Sequence, residues 1–166
     1  MLRKIFTNEF NYIVRDIKSN EEFMKTKSKA HHGINRYNHL ERVAFYTFIV
    51  TKCLRLNYIE ATRAAFLHDF FIDDVENMST IKALRRHPKY ALDNSKKYFD
   101  LTPLQEDIIL THMFPVTFTP PKYFESVIVD VIDDIAGIYE KYKSSSKELK
   151  AALTYIFILT INFIKK

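Results

Sequence analysis

Glycine and proline are scarce, with 2 Gly and 5 Pro among 166 residues. That leaves little material for the repeated tight turns of an all-β fold and favours helices joined by short loops. Cysteine is scarcer still. The single Cys53 excludes an internal disulfide framework and fits a reducing compartment, so a cytoplasmic protein is expected. No apolar run reaches the length of a membrane span. The most apolar segment, 151–164, is short for one and contains Thr154, Thr160 and Asn162. Near the start, Met1-Leu2-Arg3-Lys4-Ile5-Phe6 soon meets Asn8, Glu9 and Asn11, so no signal region is expected there. A dense basic tract is also missing. The 25 Lys and Arg against 20 Asp and Glu give +5 spread along the chain, which argues against a stable nucleic-acid complex. There is no internal repeat and no low-complexity segment.

What is present is an ordinary globular composition, 47% hydrophobic and 27% charged, long enough for one domain with a sizeable core. Phe6, Phe10, Ile13 or Val14, and Ile17 recur at helical spacing, so an opening helix is expected within residues 1–25. His31-His32-Gly33 reads as a turn. A helix is expected from Tyr37 to Leu54, with His39, Val43, Tyr46, Val50 and Cys53 forming one buried stripe. Asn57 with Glu60 three positions later signals the next start, on a helix carrying Ala61, Ala64 or Ala65, His68 and Ile72. A loop around 73–79 precedes a short helix ending at Arg85-Arg86-His87. Pro88 then opens a separate helix over about 88–99. Thr102, Pro103 and Gln105 form a strong start signal for a helix stacking Leu104, Ile108 and His112 and ending before Pro115. Thr117 to Pro121 is extended. A long helix is expected from Lys122 to Tyr142, with Ile128, Val131, Ile132, Ile135, Ile138 and Tyr139 as its main apolar face. A last helix over 151–164 packs on the core, with an exposed side suited to a homodimer. Cys53 and the Tyr and Phe stripes read as core.

The chain is organised around Ala65-Phe66-Leu67-His68-Asp69-Phe70-Phe71-Ile72-Asp73-Asp74. An ionised carboxylate beside an imidazole in an apolar run is costly unless something pairs with both, and a metal ion is the simplest such partner. Other groups of the right type follow in order: His39 before the pair, then His87, His112 and an aspartate near position 133. Each alone reads as a satisfied buried or helix-end histidine. Together they would all need separate partners in one small core, which turns the reading toward a shared centre. Imidazole and carboxylate suit iron, manganese, zinc, cobalt or nickel. Six groups exceed what one metal with open positions uses and fit two divalent transition-metal ions sharing a carboxylate.

The order His…His-Asp…His…His…Asp on an all-helical scaffold resembles the HD-domain superfamily of metal-dependent phosphohydrolases, over about residues 31–140. The local contexts His32-Gly33, His87-Pro88, His112-Met113-Phe114-Pro115, Pro120-Pro121 and Glu125-Ser126 are similar to those of its small bacterial single-domain members. The resemblance implies an all-α, single-domain helical bundle of HD type. It implies that His39, His68, Asp69 and the last aspartate bind one ion, and that Asp69 bridges to a second held by His87 and His112. Counting from Glu125 puts the last aspartate at Asp133, with Asp134 standing where the family usually has a lysine. Asp133, Asp134 and, more weakly, Asp130 stay open, and periodicity prefers Asp133. The implied activity is hydrolysis of a phosphate ester or anhydride, of a nucleotide or dinucleotide, with iron or manganese as the first-choice metals. Two such cations would bring the pKa of water to near neutral for in-line attack on phosphorus. Asp69 would be central to this chemistry. Asp74 is a candidate for orienting the water or protonating the leaving group. Arg86 and Lys89 are candidate phosphate binders, and His32 a supporting group. Two other classes fit the same ligands: a di-iron oxygenase, and a metal- or nucleotide-binding regulator without turnover.

Overall fold

The computed structural model describes residues 2–31, 34–71 and 79–145. They form an all-α bundle of eight helices: α1 (Leu2–Ile13), α2 (Arg15–Ser19), α3 (Glu21–Met24), α4 (Arg36–Cys53), α5 (Tyr58–Leu67), α6 (Thr80–Ser95), α7 (Pro103–Thr111) and α8 (Phe124–Ser144). A 3-10 turn at Lys25–Ser28 leads to a minimal ladder, in which β1 (Ala30–His31) pairs antiparallel with β2 (Ile34–Asn35). Residues 32–33, 72–78 and 146–166 lie outside the described residues. So do the expected His32 and Asp74 roles and the expected helix over 151–164.

Local chemistry sets most boundaries. Asn35 caps α4, its side chain accepting from Asn38 N at 2.8 Å, and Asn57 does the same for α5 from Glu60 N. Thr102 and Gln105 form a reciprocal capping box at α7, with Pro103 in the first turn. The opening segment breaks into three pieces, because Asn20 caps α3 through Phe23 N at 2.9 Å and so ends α2.

Helix α6 departs from expectation. Instead of ending at His87, it runs through Pro88 from Thr80 to Ser95. The ring removes one N–H, which would ordinarily end or kink the helix. Here His87, Pro88, Ala91, Leu92 and Ser95 are all buried, so tertiary packing holds both halves on one axis.

Helices α4 and α5 form the centre of the bundle, with α7 and α8 packed against them and α6 against α5 and α7. Ala61, Ala64 and Ala65 of α5 are fully buried, and their small size lets α4 approach closely. Around this seam lies an aromatic cluster in which Phe66 meets Phe23 edge-on with centroids 4.8 Å apart and Tyr37 at 5.7 Å. Arg63 of α5 binds both oxygens of Asp16 at 2.6 and 2.7 Å and so fastens α2 to the body. The buried Asp107 carboxylate accepts from Lys122 N at 3.0 Å and Ser126 Oγ at 2.7 Å, fixing where α8 begins relative to α7.

Two faces differ from the sequence reading. On α4, Leu40, Ala44, Thr47, Phe48 and Thr51 join Val43 in facing inward, whereas Tyr46 and Cys53 are exposed. The reason is that α5 packs along the Leu40–Phe48 side, leaving the Tyr46–Val50 side toward α8. On α8 the apolar row expected to be core is largely outside. Val131, Ile135 and Ile138 are 50%, 61% and 69% exposed, while Ser126, Val129, Ala136 and Glu140 are buried. The polar chemistry on the other side of α8 decides its orientation.

Candidate metal centre

Five elements bring six side chains to one buried place. His39 lies one turn into α4, His68 at the C-cap of α5 and Asp69 in the turn that follows. His87 sits midway along α6, His112 at the C-cap of α7 and Asp133 in the middle of α8. Both His68 and His112 therefore stand at helix C-termini, where exposed carbonyls carry partial negative charge and favour a cation.

The rings form a connected row. Centroids are 5.5 Å apart for His39–His68, 4.8 Å for His68–His112 and 5.0 Å for His87–His112. His39, His68 and Asp133 place ligand atoms within 4.8 Å of one another, and so do His68, Asp69 and His112. His87 joins the second group, its Nε2 lying 2.9 Å from His112 Nε2 and 3.3 Å from Asp69 Oδ1. All six residues expected from the sequence to bind metal are thus brought together. Among the aspartates, Asp133 reaches His39 and His68, while Asp134 is exposed.

Protonation follows from the partners. His68 Nδ1 lies 2.8 Å from Ala65 O, His112 Nδ1 2.8 Å from Ile109 O and His87 Nδ1 3.2 Å from Ala83 O. A carbonyl can only accept, so each Nδ1 carries its hydrogen, which leaves Nε2 as the atom of each ring that can take a cation or a second proton. Those three Nε2 atoms converge on each other and on the Asp69 and Asp133 carboxylates. His112 Nε2 lies 3.5 Å from Asp69 Oδ1, and the buried Nε2 of His68 makes no hydrogen bond, 3.4 Å from Asp133 Oδ1. Acceptors facing acceptors in a buried site repel unless positive charge lies between them. Burial and the neighbouring His112 push His87 down to about 4 despite the pull of Asp69, so this ring resists supplying that charge as a proton. The donor set fits divalent cations held by imidazole Nε2 and carboxylate oxygens, with backbone carbonyls orienting each ring from behind.

At the other end of the row, His39 is held on both sides. Its Nε2 lies 2.7 Å from Asp133 Oδ1, and its Nδ1 2.9 Å from Glu140 Oε2. Burial opposes charging this ring, but hydrogen bonds to Asp133 and Glu140 outweigh it and push its pKa up to about 10. Burial likewise opposes charge on His68, and Asp133 overcomes it. Asp133 itself is held far below the usual carboxylate range despite its burial, by the His68 and His39 charges. A proton on His39 Nε2 and a divalent cation would compete for the same lone pair, so binding one releases the other. Nearby, burial and the charges of Asp134 and Asp133 push Asp130 up to about 7.

Glu140 is the functional residue that sequence reasoning missed. It is buried, accepts from His39 and is paired on its other oxygen with Arg42. A carboxylate behind a ligating histidine fixes both tautomer and ring orientation. The signal was its position seven residues, two helical turns, beyond Asp133 on the same face of α8. Arg36 was also overlooked. It is buried at the start of α4, donates to Phe71 O at 2.5 Å and stacks 3.8 Å over the Phe71 ring, which in turn lies 5.6 Å from His87.

The expected phosphate binders are placed outside this cluster. Lys89 is exposed and paired with Asp93 at 2.8 Å, about 200° around α6 from His87. Arg86 is exposed on the same helix.

Comparison with protein-family models, curated proteins and solved structures finds no match to this chain. What fold and site define together is an all-α bundle enclosing a buried histidine–aspartate cluster. Among the described residues, no helix is long and apolar enough to cross a membrane.

Proposed function

We propose that the chain is a metal-dependent phosphohydrolase of HD-domain type, cleaving a phosphate ester or anhydride of a small, nucleotide-like substrate. The observation that carries this reading is the convergence of three Nε2 atoms, each aimed by a carbonyl behind its ring, on two carboxylates. His39, His68 and Asp133 would hold one divalent ion, iron or manganese by preference. His87 and His112 would hold the other, with Asp69 between them. When bound, such a pair supplies a water ionised near neutral pH and positive charge against the phosphoryl oxygens.

The protein's own contribution is orientation and exclusion of water. Carbonyls of Ala65, Ala83 and Ile109 keep the rings from rotating. Glu140 does the same for His39. Phe71 shields the His87 side. Asp69, nearly fully buried and close to both His87 and His112, is the residue on which the second ion depends most.

The test is elemental analysis of the purified protein, followed by a screen of nucleotides and phosphate esters for phosphate release. Two equivalents of transition metal, with turnover that disappears in Asp69→Ala, support the proposal. Metal with oxygen consumption and no phosphate release would instead assign the di-iron oxygenase class. A protein that binds no transition metal with all six ligands intact would overturn the metal-centre reading itself.

A further inference from the structure

Asp69 stands on backbone that no helix supports. Helix α5 ends at Leu67, and the chain turns twice before leaving it, with Phe70 N donating to Leu67 O and Phe71 N to Asp69 O, both at 2.9 Å. The second contact spans only Asp69 to Phe71, a tight turn closed by a single hydrogen bond. Carbonyls at and beyond a helix end have no partner along the chain. Those of Phe70 and Phe71 lie on buried residues, where each needs a donor from elsewhere.

Both donors come from other helices of the centre. Arg36 opens α4, one turn before His39, and donates to Phe71 O at 2.5 Å while its guanidinium lies 3.8 Å over the Phe71 ring. Asn94 of α6, two turns beyond His87 on the same face, donates from Nδ2 to Phe70 O at 3.2 Å. The Phe71 ring in turn lies 5.6 Å from the His87 ring. Arg36 is itself buried. Taking a guanidinium out of water is costly, whereas a solvated turn would satisfy its carbonyls with water at no such cost. The charge is spent on holding this turn.

We propose that Arg36 and Asn94 are positioning residues that clamp the Asp69–Phe71 turn and so fix the Asp69 carboxylate against His87 and His112. Each acts through the backbone of the turn. Because α4 and α6 grip it from two helices, the turn cannot follow one of them without breaking its bond to the other. Asp69 Oδ1 is thereby kept 3.3 Å from His87 Nε2 and 3.5 Å from His112 Nε2, the spacing on which a shared ion depends. The consequence for ions rests on the metal-centre reading above, whereas the grip on the turn does not.

Two variants of the full-length chain test the clamp. Arg36→Met keeps the aliphatic length and removes the donors, and Asn94→Leu keeps the shape without a donor. In metal-free protein, hydrogen exchange of a peptide containing Phe70 and Phe71 should speed up by about tenfold in each, with peptides from α7 unchanged. In chelator competition with Mn(II), one ion should weaken by about tenfold or more and the other by less than about twofold. The His112→Ala variant identifies the affected ion as the one at His87, His112 and Asp69. Arg36→Lys retains a donor for Phe71 O and should recover part of the loss, which a merely structural role would not require. Unchanged exchange at the turn, equal weakening of both ions, or a lowered urea midpoint with wild-type affinities would each overturn the proposal. Wild-type protein that takes up no metal, with exchange at the turn still raised in both variants, would overturn the metal-centre reading and support the clamp alone.

Discussion

Removing Glu140 isolates the contribution of a residue that touches the candidate metal centre only through a ligand. Its Oε2 accepts from the buried His39 Nδ1 at 2.9 Å, and its other oxygen pairs with the partly exposed Arg42. In Glu140→Ala, His39 loses the acceptor that holds a hydrogen on Nδ1 and keeps Nε2 turned toward Asp133. Loss of such a supporting carboxylate weakens metal binding by roughly 10–100-fold, or about 1.4–2.7 kcal/mol. If the proposed ions bind, the effect should be confined to the one at His39, His68 and Asp133. The one at His87, His112 and Asp69 has its own carbonyl supports and should change far less. Glu140→Gln retains an oxygen that can accept from Nδ1 and should recover most of the affinity. The assay is competition against a chromophoric chelator, read as two separate affinities, with circular dichroism to confirm folding. Equal weakening of both ions would refute the site-specific role, as would wild-type affinity in Glu140→Ala.

Three further outcomes test the fold that positions the centre. Phe66→Ala empties a fully buried position at the middle of the aromatic cluster and should cost about 3–5 kcal/mol, read from the urea midpoint at unchanged slope. Thr102→Ala breaks the capping box of α7, the helix that delivers His112, and should cost about 1 kcal/mol in the same measurement. The Asp16–Arg63 pair should give a small acid-side effect. Its carboxylate is held below the usual value chiefly by Arg63, so its contribution is present above the unfolded pKa of 3.8 and is lost as pH falls through the lower folded value. With Asp16 half exposed, Asp16→Asn should cost about 0.5 kcal/mol at pH 7, and the difference from wild type should shrink as pH falls below 3.8 and through the lower folded value.

Much of this architecture can be read from short-range chemistry. Asn57 with Glu60 and Thr102 with Pro103 and Gln105 specify helix starts because each cap closes within three residues. The grouping of the six proposed ligands is equally legible, since four histidines and two aspartates that would otherwise need separate buried partners come to one place. Even the choice of Asp133 over Asp134 follows from the turn of a helix. What sequence could not supply is anything that depends on which neighbour lies across a gap. Glu140 looks like any surface acid in Tyr139-Glu140-Lys141 until α4 brings His39 and Arg42 against it. Pro88 reads as a helix boundary until α5 and α7 hold both sides of α6 on one line.

The apolar row of α8 shows the division most clearly. Periodicity alone identifies two faces, one with Val131, Ile135 and Ile138 and the other with Val129, Asp133, Ala136 and Glu140. A rule of apolar-inside would bury the first. Tertiary structure buries the second, because two carboxylates facing His39 and His68 form hydrogen bonds and charge pairs that water at the surface would largely screen. Sequence by itself determined most helix starts and the residue types of the cluster, because caps and periodicity act within a few residues. Only the three-dimensional packing decided which side of each helix faces that centre, because that depends on partners up to about a hundred residues away along the chain.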